Sequence, residues 1–369
     1  MKLIYITSKK FPSSNANSFY VRSMANAFSE ILGMDFLFFI RGVIPDELKN
    51  MNVASVKFPR RFRTLWYFFW MPVLIMSRGW SGREIFFLSY DPYLLSILIF
   101  WRKIFGFKYS ICSDWHQLFA DWRDGYVAKQ SDYLVCTSKR LKGLLSSVCG
   151  IEQNKILVAY GGVDPIPFIE KAKTSKDEYR ARLGLPVDLF LVGYIGGFRS
   201  IGMEKGLDTM IKSLAYLDEK IRMVFVGGSK QHIEEYRKLA KEHGVLQRCV
   251  FVEKRSFEKV VEYELAMDAL VIPYPDKHHF RDYGFPMKVW EYMASGRPIV
   301  YSNLEIIAEA LEGRGVPFQP DDEKGLAHSI LSVFNDVESA EKIAQENPNI
   351  VQLYTWKVRA GSIIKFIQR

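Results

Sequence analysis

Two glycines and two basic residues follow one apolar strand, a combination that suits the binding of phosphate groups. Gly196 and Gly197 end the strand, Arg199 lies two residues further on, and Lys205 stands just before a predicted helix. Glycines let backbone N–H groups approach an anion, a helix N-terminus adds partial positive charge, and the arginine and lysine neutralise a diphosphate. The alternative is an ordinary glycine turn with two solvated cations. The sequence contains neither a P-loop nor a G-x-G-x-x-G dinucleotide motif.

A second pair of charged residues, Lys288 and Glu291, lies further along the chain. Pro286 fits the first turn of a helix, and Gly296 fits the residue that ends it. The spacing of three residues places the lysine and the glutamate on one face of this helix. A lone Lys-x-x-Glu pair is usually a solvated surface ion pair, so its interpretation depends on the flanking sequence.

A histidine near the end of a strand is the third candidate. Residues Tyr109–Cys112 predict a strand, and His116 follows at its carboxyl end, where ligands bind in sheets of this kind. Either ring nitrogen can hydrogen-bond a ligand hydroxyl or hold a neighbouring carboxylate. The alternative is a histidine that is merely satisfied within the protein or exposed to solvent. The adjacent His278 and His279 point apart, so we do not interpret them as metal ligands.

The flanking sequence bears on these alternatives. The segments from Ala266 to Pro273 and from Gly284 to Val300 resemble the family 4 retaining glycosyltransferases, which have the GT-B fold. The resemblance covers the whole chain, densely in the second half and thinly in residues 1–108. It implies a sugar transferase that uses a nucleoside diphosphate sugar and needs neither a metal nor another cofactor.

The resemblance also implies roles for the residues above. Glu291 holds the ribose hydroxyls of the donor, a role that suits a carboxylate because it accepts two hydrogen bonds from a diol. Lys288 belongs to the same donor site. The clamp for the diphosphate consists of Gly196, Gly197, Arg199 and Lys205. Within it, Arg199 and Lys205 act catalytically by stabilising the leaving group, and His116 supports the transfer near the donor sugar.

The sequence departs from the family pattern in two places. A second glutamate of the family is replaced here by Tyr283, and Asp282 beside it is the candidate replacement for contacts to the donor sugar. The loop from Ser8 to Asn17 lacks the glycine pair found in many family members. Asn15 and Asn17 are therefore the candidates for acceptor contacts in this loop.

The resulting hypothesis is a retaining, metal-independent transfer of a hexosyl group to an acceptor hydroxyl, with front-face attack implied by the resemblance. We expect a UDP- or GDP-sugar as donor and a lipid-linked or cell-envelope glycan as acceptor. Two alternatives stay open at this point. A nucleotide-sugar epimerase or hydrolase of the same fold would need general acid and base carboxylates, and no convincing pair is found. A non-catalytic nucleotide-sugar-binding subunit is compatible with the altered glutamate pattern.

Short apolar strands alternate with helical periods along the chain, and this alternation must position the candidate residues. It predicts an α/β protein of GT-B type, with two Rossmann-like, doubly wound parallel sheets facing a central cleft. The expected domains are an acceptor domain over residues 1–165 and a donor domain over residues 166–345. Residues 346–369 are expected to form a helix that returns to the first domain.

The composition bounds other properties of the protein. The chain has 369 residues, 49% of them hydrophobic, which is long for one core and fits two domains. The four cysteines show no metal-binding spacing and predict reduced thiols in a cytoplasmic protein. The sequence shows neither a signal peptide nor an apolar run of about 18 residues, the length that spans a membrane.

The positive charge of the protein is one-sided. Residues 1–165 contain 21 Lys and Arg against 12 Asp and Glu, whereas residues 166–369 contain 29 of each kind. Such asymmetry favours an anionic partner. Segment 57–83 is rich in aromatic residues with flanking cations and suits peripheral contact with the anionic inner face of a membrane; a buried helix with cationic ends is an equally weighted alternative. No motif for reading nucleic acid accompanies the charge.

Overall fold

The computed structural model describes residues 1–11, 16–57, 66–70, 73 and 84–369. The chain divides into two compact units. The first comprises Met1–Gly162 with Trp356–Arg369, and the second comprises Val163–Thr355. The C-terminal helix therefore belongs to the first unit. Residues 346–355, which we expected to accompany this helix, belong to the second unit.

The first unit contains one parallel sheet. Its strands are β1 (Lys2–Phe11), β2 (Phe36–Gly42), β3 (Val53–Val56), β4 (Ile85–Ser89), β5 (Ser110–Trp115), β6 (Tyr133–Cys136) and β7 (Ile156–Val158). Neighbouring strands follow the order β3-β2-β1-β4-β5-β6-β7. Its helices up to residue 162 are α1 (Ala16–Leu32), α2 (Pro92–Phe105), α3 (Trp122–Gln130) and α4 (Lys139–Cys149), and residues 66–70 are also helical. Single 3-10 turns occur at Gly33–Asp35, Asp46–Leu48 and Gln153–Lys155.

Aromatic residues from the beginning of the sequence fill the core of this first unit. Tyr5 of β1 stacks on Phe38 of β2 with ring centres 5.6 Å apart, and it meets Phe28 of α1 edge-on at 5.9 Å. All three side chains are buried. Packing between the sheet and its first helix thus accounts for these aromatic residues, which need no ligand to explain them.

The second unit contains a second parallel sheet. Its strands are β8 (Phe190–Ile195), β11 (Ile221–Gly228), β12 (Cys249–Glu253), β13 (Ala269–Ile272), β14 (Ile299–Ser302) and β15 (Val316–Phe318), and β9 (Arg199–Ser200) pairs with β10 (Met203–Glu204) as a separate hairpin. The sheet order is β12-β11-β8-β13-β14-β15. This order, with β8 inside the sheet, is that of a doubly wound fold.

Helices alternate with these strands. They are α5 (Ile166–Lys171), α6 (Lys176–Leu183), α7 (Leu207–Ser213), α8 (Lys230–Glu242), α9 (Phe257–Ala266), α10 (His278–Asp282), α11 (Lys288–Ser295), α12 (Glu305–Leu311), α13 (Glu323–Asn335), α14 (Val337–Ala344) and α15 (Asn347–Ile350). Further 3-10 turns occur at Leu214–Tyr216, Leu246–Arg248 and Val351–Tyr354. The final helix, α16 (Trp356–Ile367), returns to the first unit.

The two parallel sheets confirm the predicted α/β class with two Rossmann-like domains. Strand β5 extends to Trp115 and not only to the predicted end at Cys112, so His116 follows it directly. The hairpin and strand β15 were not predicted, because strands of two or three residues are too short to show a period. Within the described residues, no helix combines the length and the apolar character that crossing a bilayer requires. All four cysteines are free, and three of them are buried.

Candidate active site

Lys288 and Glu291 lie in the first turn of α11 and form an ion pair whose side chains are only 17% and 12% exposed. This low exposure argues against the solvated surface pair that was the alternative interpretation. Lys288 Nζ also lies 3.2 Å from Oε1 of Glu264, in the last turn of α9. Glu264 is completely buried. The three residues form a triad, Glu264–Lys288–Glu291, that runs from the interior of the second unit toward its surface.

The electrostatics of the triad depend on burial. Burial raises the pKa of Glu264 to about 8; Lys288 opposes this increase, and the charge of Glu291 adds to it. Burial alone would lower the pKa of Lys288, but the carboxylates of Glu291 and Glu264 raise it above its ordinary value. Lys288 therefore stays charged. Oε2 of Glu264 has no hydrogen-bond partner among the described residues, although it is buried.

The turn at Gly196 and Gly197 lies against the aliphatic part of Lys288. A Cβ atom at Gly196 would stand 2.8 Å from Cε of Lys288, so a larger residue there would have to displace the end of the lysine side chain. Tyr194 donates its hydroxyl hydrogen to the carbonyl of Gly197 at 2.9 Å. The last N–H group of β8 donates to the hydroxyl of Tyr292 at 2.9 Å. The structure thus brings together two segments assigned to the donor site, the glycine turn and the start of α11. The two hydrogen bonds hold the turn in place.

Arg199 lies in the β9–β10 hairpin directly after this turn. Its Nη2 contacts Oε2 of Glu235 at 2.6 Å, and both side chains are 38% exposed. An exposed ion pair of this kind contributes only about 0–1 kcal/mol to stability. The guanidinium of Arg199 is therefore held weakly and is accessible to an anionic ligand.

A carboxylate of the protein itself occupies the N-terminus of α7. Glu204 accepts hydrogen bonds from the N–H groups of Gly206 at 2.6 Å and Leu207 at 2.7 Å, and from the hydroxyl of Tyr236 at 2.8 Å. Gly206 has a φ of +86°, and a Cβ atom there would lie 1.7 Å from the carbonyl oxygen of Pro273. The predicted contribution of this helix N-terminus to phosphate binding needs correction, because these two N–H groups are already satisfied.

Lys205 approaches an aromatic ring and a histidine. Its Nζ lies 5.5 Å from the ring centre of Tyr274. Burial lowers the pKa of His279, and the nearby charge of Lys205 lowers it further. Lys205 therefore stands beside the segment that joins β13 to α11, which includes the short helix α10 and its Asp282.

Asp282 is the last residue of α10 and is buried. His278 Nδ1 lies 2.8 Å from its Oδ2, and Nε of Arg281 lies 3.4 Å from the same oxygen. Two basic groups of its own short helix therefore contact this carboxylate. A role for Asp282 in binding a sugar hydroxyl would require it to share its oxygens with them.

His116 lies in the first unit, where two tyrosines hold its ring. The ring stacks on Tyr90 with centres 5.5 Å apart and meets Tyr20 edge-on at 4.4 Å. Its Nε2 is 3.4 Å from Oδ2 of Asp114 but forms no hydrogen bond among the described residues. The ring is thus oriented mainly by aromatic packing, with a carboxylate close to one nitrogen.

Asp114 belongs to a buried network that joins the C-terminal helix to the sheet. Arg359 of α16 donates to both carboxylate oxygens of Asp114, at 2.7 and 2.9 Å, and Tyr20 donates to Oδ2 at 2.6 Å. Burial alone would raise the pKa of Asp114, but the charge of Arg359, assisted by His116, holds it well below its usual range. The carboxylate beside His116 is therefore kept charged.

The remaining assignments fall wholly or partly outside the description. Asn15 lies outside the described residues, and Asn17 is placed on α1 without a described side chain, so their acceptor contacts stay predictions. Of segment 57–83, only residues 57, 66–70 and 73 are described. In the described ranges, no group of three or more His, Cys, Asp or Glu residues could hold a metal ion.

The sequence analysis missed Glu264, Asp114 and Arg359. Each is a charged residue within an otherwise apolar helix face or strand, and this pattern is the signal that was available. The pattern does not identify the partner, because Lys288 and Glu264 are 24 residues apart and Arg359 and Asp114 are 245 apart.

Comparison with known sequences finds a family match that lies within the second unit. The profile of the family described as "Glycosyl transferases group 1" matches residues 190–336. A D-inositol 3-phosphate glycosyltransferase from Xylanimonas cellulosilytica is 28% identical over 183 residues, which cover 47% of this chain and 41% of the relative. The matches span about half the length of the first such relatives, from 41% to 57%.

Solved structures are similar over the full chain. Sucrose-phosphate synthase from Thermosynechococcus elongatus has a TM-score of 0.77 at 18% identity, with 100% of this chain and 98% of that chain covered. HepE from Anabaena, in complex with UDP, has a TM-score of 0.78 at 15% identity, with both chains covered completely. At such low identity these similarities establish the fold alone.

Proposed function

Because residues 190–336 match the family of group 1 glycosyltransferases and the chain has the GT-B fold, we propose that it transfers a hexosyl group from a nucleoside diphosphate sugar to an acceptor hydroxyl. The observation that carries this proposal is the mostly buried Lys288–Glu291 pair beside the glycine turn at the carboxyl end of β8. Ligands bind at this end of parallel strands. Glu291, which Lys288 separates from the buried Glu264, accepts hydrogen bonds from the two ribose hydroxyls.

In this proposal Arg199 and Lys205 stabilise the diphosphate as it leaves the sugar. The exposed partner of Arg199, Glu235, can be exchanged for a phosphate oxygen at little cost. Lys205 lies over the ring of Tyr274, a contact that leaves its positive charge in place. The two cations take the part that a metal ion plays in other transferases, so the reaction requires no metal. The acceptor attacks the face from which the diphosphate departs, and the anomeric configuration is retained.

The donor in this proposal is a UDP- or GDP-sugar. The fold shared with HepE, which binds UDP, supports a uridine nucleotide. A glycan or a lipid-linked sugar is the proposed acceptor. The name of the D-inositol 3-phosphate glycosyltransferase specifies a phosphorylated acceptor, and the positive charge of residues 1–165 would favour an anionic acceptor here as well.

We also propose that the first unit attaches reversibly to an anionic membrane surface at the inner face. A patch of apolar side chains supports this attachment, and each of them is 40% to 64% exposed. This aromatic patch consists of Trp66, Phe69, Phe100, Ile104 and Phe105. Phe68 joins its two parts, since its ring centre lies 5.1 Å from that of Phe100. The exposed Lys103 and Lys108 stand next to it in the sequence, and aromatic and basic side chains together suit the bilayer interface.

The test is incubation with UDP-glucose, UDP-galactose and GDP-mannose, each with candidate acceptors, in EDTA and with added magnesium. A transferase releases nucleotide only together with a glycosylated acceptor, and it retains this activity in EDTA. Release of nucleotide without a glycosylated product would indicate a hydrolase, and conversion of the donor to its epimer would indicate an epimerase. Binding without turnover would indicate a binding subunit. Activity that is lost in EDTA and restored by magnesium would overturn the metal-independent clamp.

A further inference from the structure

We propose that Glu264 is a positioning residue of the donor site. When ribose hydroxyls bind Glu291, the ammonium group of Lys288 pairs with Glu264, and the carboxyl group of Glu264 releases its proton to solvent. This proposal rests on the proposed binding of a nucleotide ribose by Glu291. It concerns a residue outside the motifs that predicted the site. It makes nucleotide binding and proton release two parts of one event.

The geometry allows Lys288 to change partner without a large movement. Its Nζ already contacts both Glu264 and Glu291. Its stem is confined by the backbone of Gly196, and its Nζ lies 5.8 Å from the ring centre of Tyr292. The ammonium group therefore has two carboxylates within reach, while the rest of the side chain is held in place.

The triad contains one positive charge for two carboxyl groups, and one of these groups is completely buried. Burial raises the pKa of Glu264 to about 8, so near neutral pH this residue is mostly protonated and Lys288 pairs with Glu291. Tyr292 is a further titratable group close to Lys288 within the described residues. Other charged side chains around α9 are engaged elsewhere: Arg180 and Lys176 contact Asp268, Lys171 and Lys259 contact Glu262, and Arg297 donates to the carbonyl of Leu265.

A bound ribose changes this balance. Its hydroxyls donate hydrogen bonds to Glu291, so this carboxylate depends less on Lys288. The ammonium group then moves toward Glu264, whose Oε2 has no partner among the described residues. A closer cation and a better satisfied Glu291 both favour the ionised form of Glu264. The O–H bond of its carboxyl group breaks, the proton passes to the buffer, and the carboxylate pairs with Lys288.

The experiment is calorimetric titration with UDP, and with GDP in parallel, in buffers of different ionisation enthalpy. Plotting the observed enthalpy against the buffer enthalpy gives the number of protons released. We expect close to one proton at about pH 7. Because the ligand favours the deprotonated form, affinity must rise with pH, by about tenfold between pH 7 and pH 9 if one proton is released. The second ionisation of a phosphate, near pH 6, lies below this window.

Substitution identifies the source of the proton. Glu264→Gln mimics the protonated side chain, so this variant should bind UDP with an affinity that does not change with pH, more weakly than the wild type does at pH 7, and with no proton release. Glu262→Gln is the matched control, because Glu262 lies on the same helix and is ion-paired with Lys171 and Lys259. This control should release the proton and show the same pH dependence as the wild type.

The outcomes separate this proposal from the function on which it rests. If the protein binds neither UDP nor GDP, the proposed function fails. If it binds a nucleotide with no proton release and with pH-independent affinity, or if Glu264→Gln still releases the proton, the role of Glu264 is refuted while the function stands. The wild-type titrations need no variant, so an absence of proton release refutes the role of Glu264 even if a substitution impairs folding.

Discussion

Lys288 connects the two carboxylates of the donor site, so substitutions at these residues cannot act independently. Glu264 is the completely buried member of the triad, whereas Lys288 and Glu291 are each slightly exposed. Removing one carboxyl group leaves Lys288 to the other. Effects on binding at this site should therefore be non-additive, as expected for residues in direct contact.

We predict that Glu291→Gln weakens the binding of a nucleoside diphosphate by about 10- to 100-fold, since a hydrogen bond to a charged group contributes about 1.5–3 kcal/mol. Calorimetry with UDP and GDP measures this change. Glu338→Gln, on exposed helix α14 of the same unit, is the control and should bind like the wild type. Unchanged affinity in Glu291→Gln would refute the assignment of the ribose site.

Arg199 and Lys205 should contribute more to the transition state than to donor binding. Negative charge on the diphosphate grows as the sugar leaves, so Arg199→Ala and Lys205→Ala should lower kcat by about 10²–10³-fold and change the donor Kd much less. Arg237→Ala is the control, because Arg237 is an exposed, ion-paired arginine on α8, the helix that carries Glu235. Steady-state kinetics with direct binding measurements decides the matter. A loss of donor affinity with kcat unchanged would make the two residues simple anchors of the ground state.

Regular elements of the protein were largely predictable from local sequence. Local sequence predicts strands over residues 190–195 and 269–272 and a helix over residues 257–266. β8, β13 and α9 have these limits, because a buried strand or an amphipathic helix leaves a continuous pattern. Helix α6 was missed although Ser175 and Glu178 form a capping box, a signal that the sequence contains. The β9–β10 hairpin has two residues in each strand and leaves no such pattern.

The candidate site was predictable only where its residues share a motif. Gly196, Arg199 and the Lys288–Glu291 pair stand in short local patterns, and the structure places the glycine turn against Lys288. Glu264 could not be assigned, because its role depends on a tertiary contact with a lysine on another helix. The sequence also did not show that Glu204 satisfies the first N–H groups of α7.

At the level of elements, we predict that the contact of α16 with Asp114 stabilises the first unit. Arg359→Met leaves a buried, unpaired carboxylate and should lower the free energy of unfolding by about 3–5 kcal/mol. Lys357→Met is the control, since Lys357 lies on the same helix with an exposed, long contact to Glu30 at 3.6 Å. Urea unfolding monitored by circular dichroism measures both changes. A loss in Arg359→Met no larger than in the control would show that α16 is held by apolar packing alone.

The contact between Arg359 and Asp114 also makes the free energy of unfolding depend on pH. The folded-state pKa of Asp114 is depressed, so the stabilisation by this residue is present above its unfolded pKa of about 3.9 and is lost as pH falls toward the folded value. Without Arg359, burial raises this pKa, and protonation then favours the folded state. The difference in stability between wild type and Arg359→Met should therefore narrow as pH falls from about 8 to about 5. A constant difference over this range would contradict the assignment to Asp114.

The net positive charge of the molecule lies in residues 1–165, the part of the chain that also contains the aromatic patch. The surplus of positive charge belongs to residues 1–165, and residues 166–369 are balanced. Lys103 and Lys108 are exposed, and Lys103 Nζ also lies 5.4 Å from the ring centre of Tyr126. Arg60, Arg61 and Arg63 add to this charge but lie outside the described residues. An anionic lipid surface would bind both the cations and the aromatic patch, because it attracts positive charge and accepts aromatic side chains.

We predict that the protein sediments with anionic vesicles at low salt, and less so at high salt, because each basic residue near such a surface contributes about 1 kcal/mol. Changing Phe100, Ile104 and Phe105 together to serine should reduce sedimentation at every salt concentration, because salt screens charge but does not replace apolar insertion. In the control, Ile166 and Ile169 of the second unit, which are 58% and 54% exposed, are likewise changed to serine. This control should sediment like the wild type. Circular dichroism verifies that each variant is folded.

If the wild type stays in solution with phosphatidylserine vesicles at low salt, membrane attachment is refuted, and a water-soluble glycan becomes the acceptor to test. If only the control loses sedimentation, the attachment surface lies in the second unit.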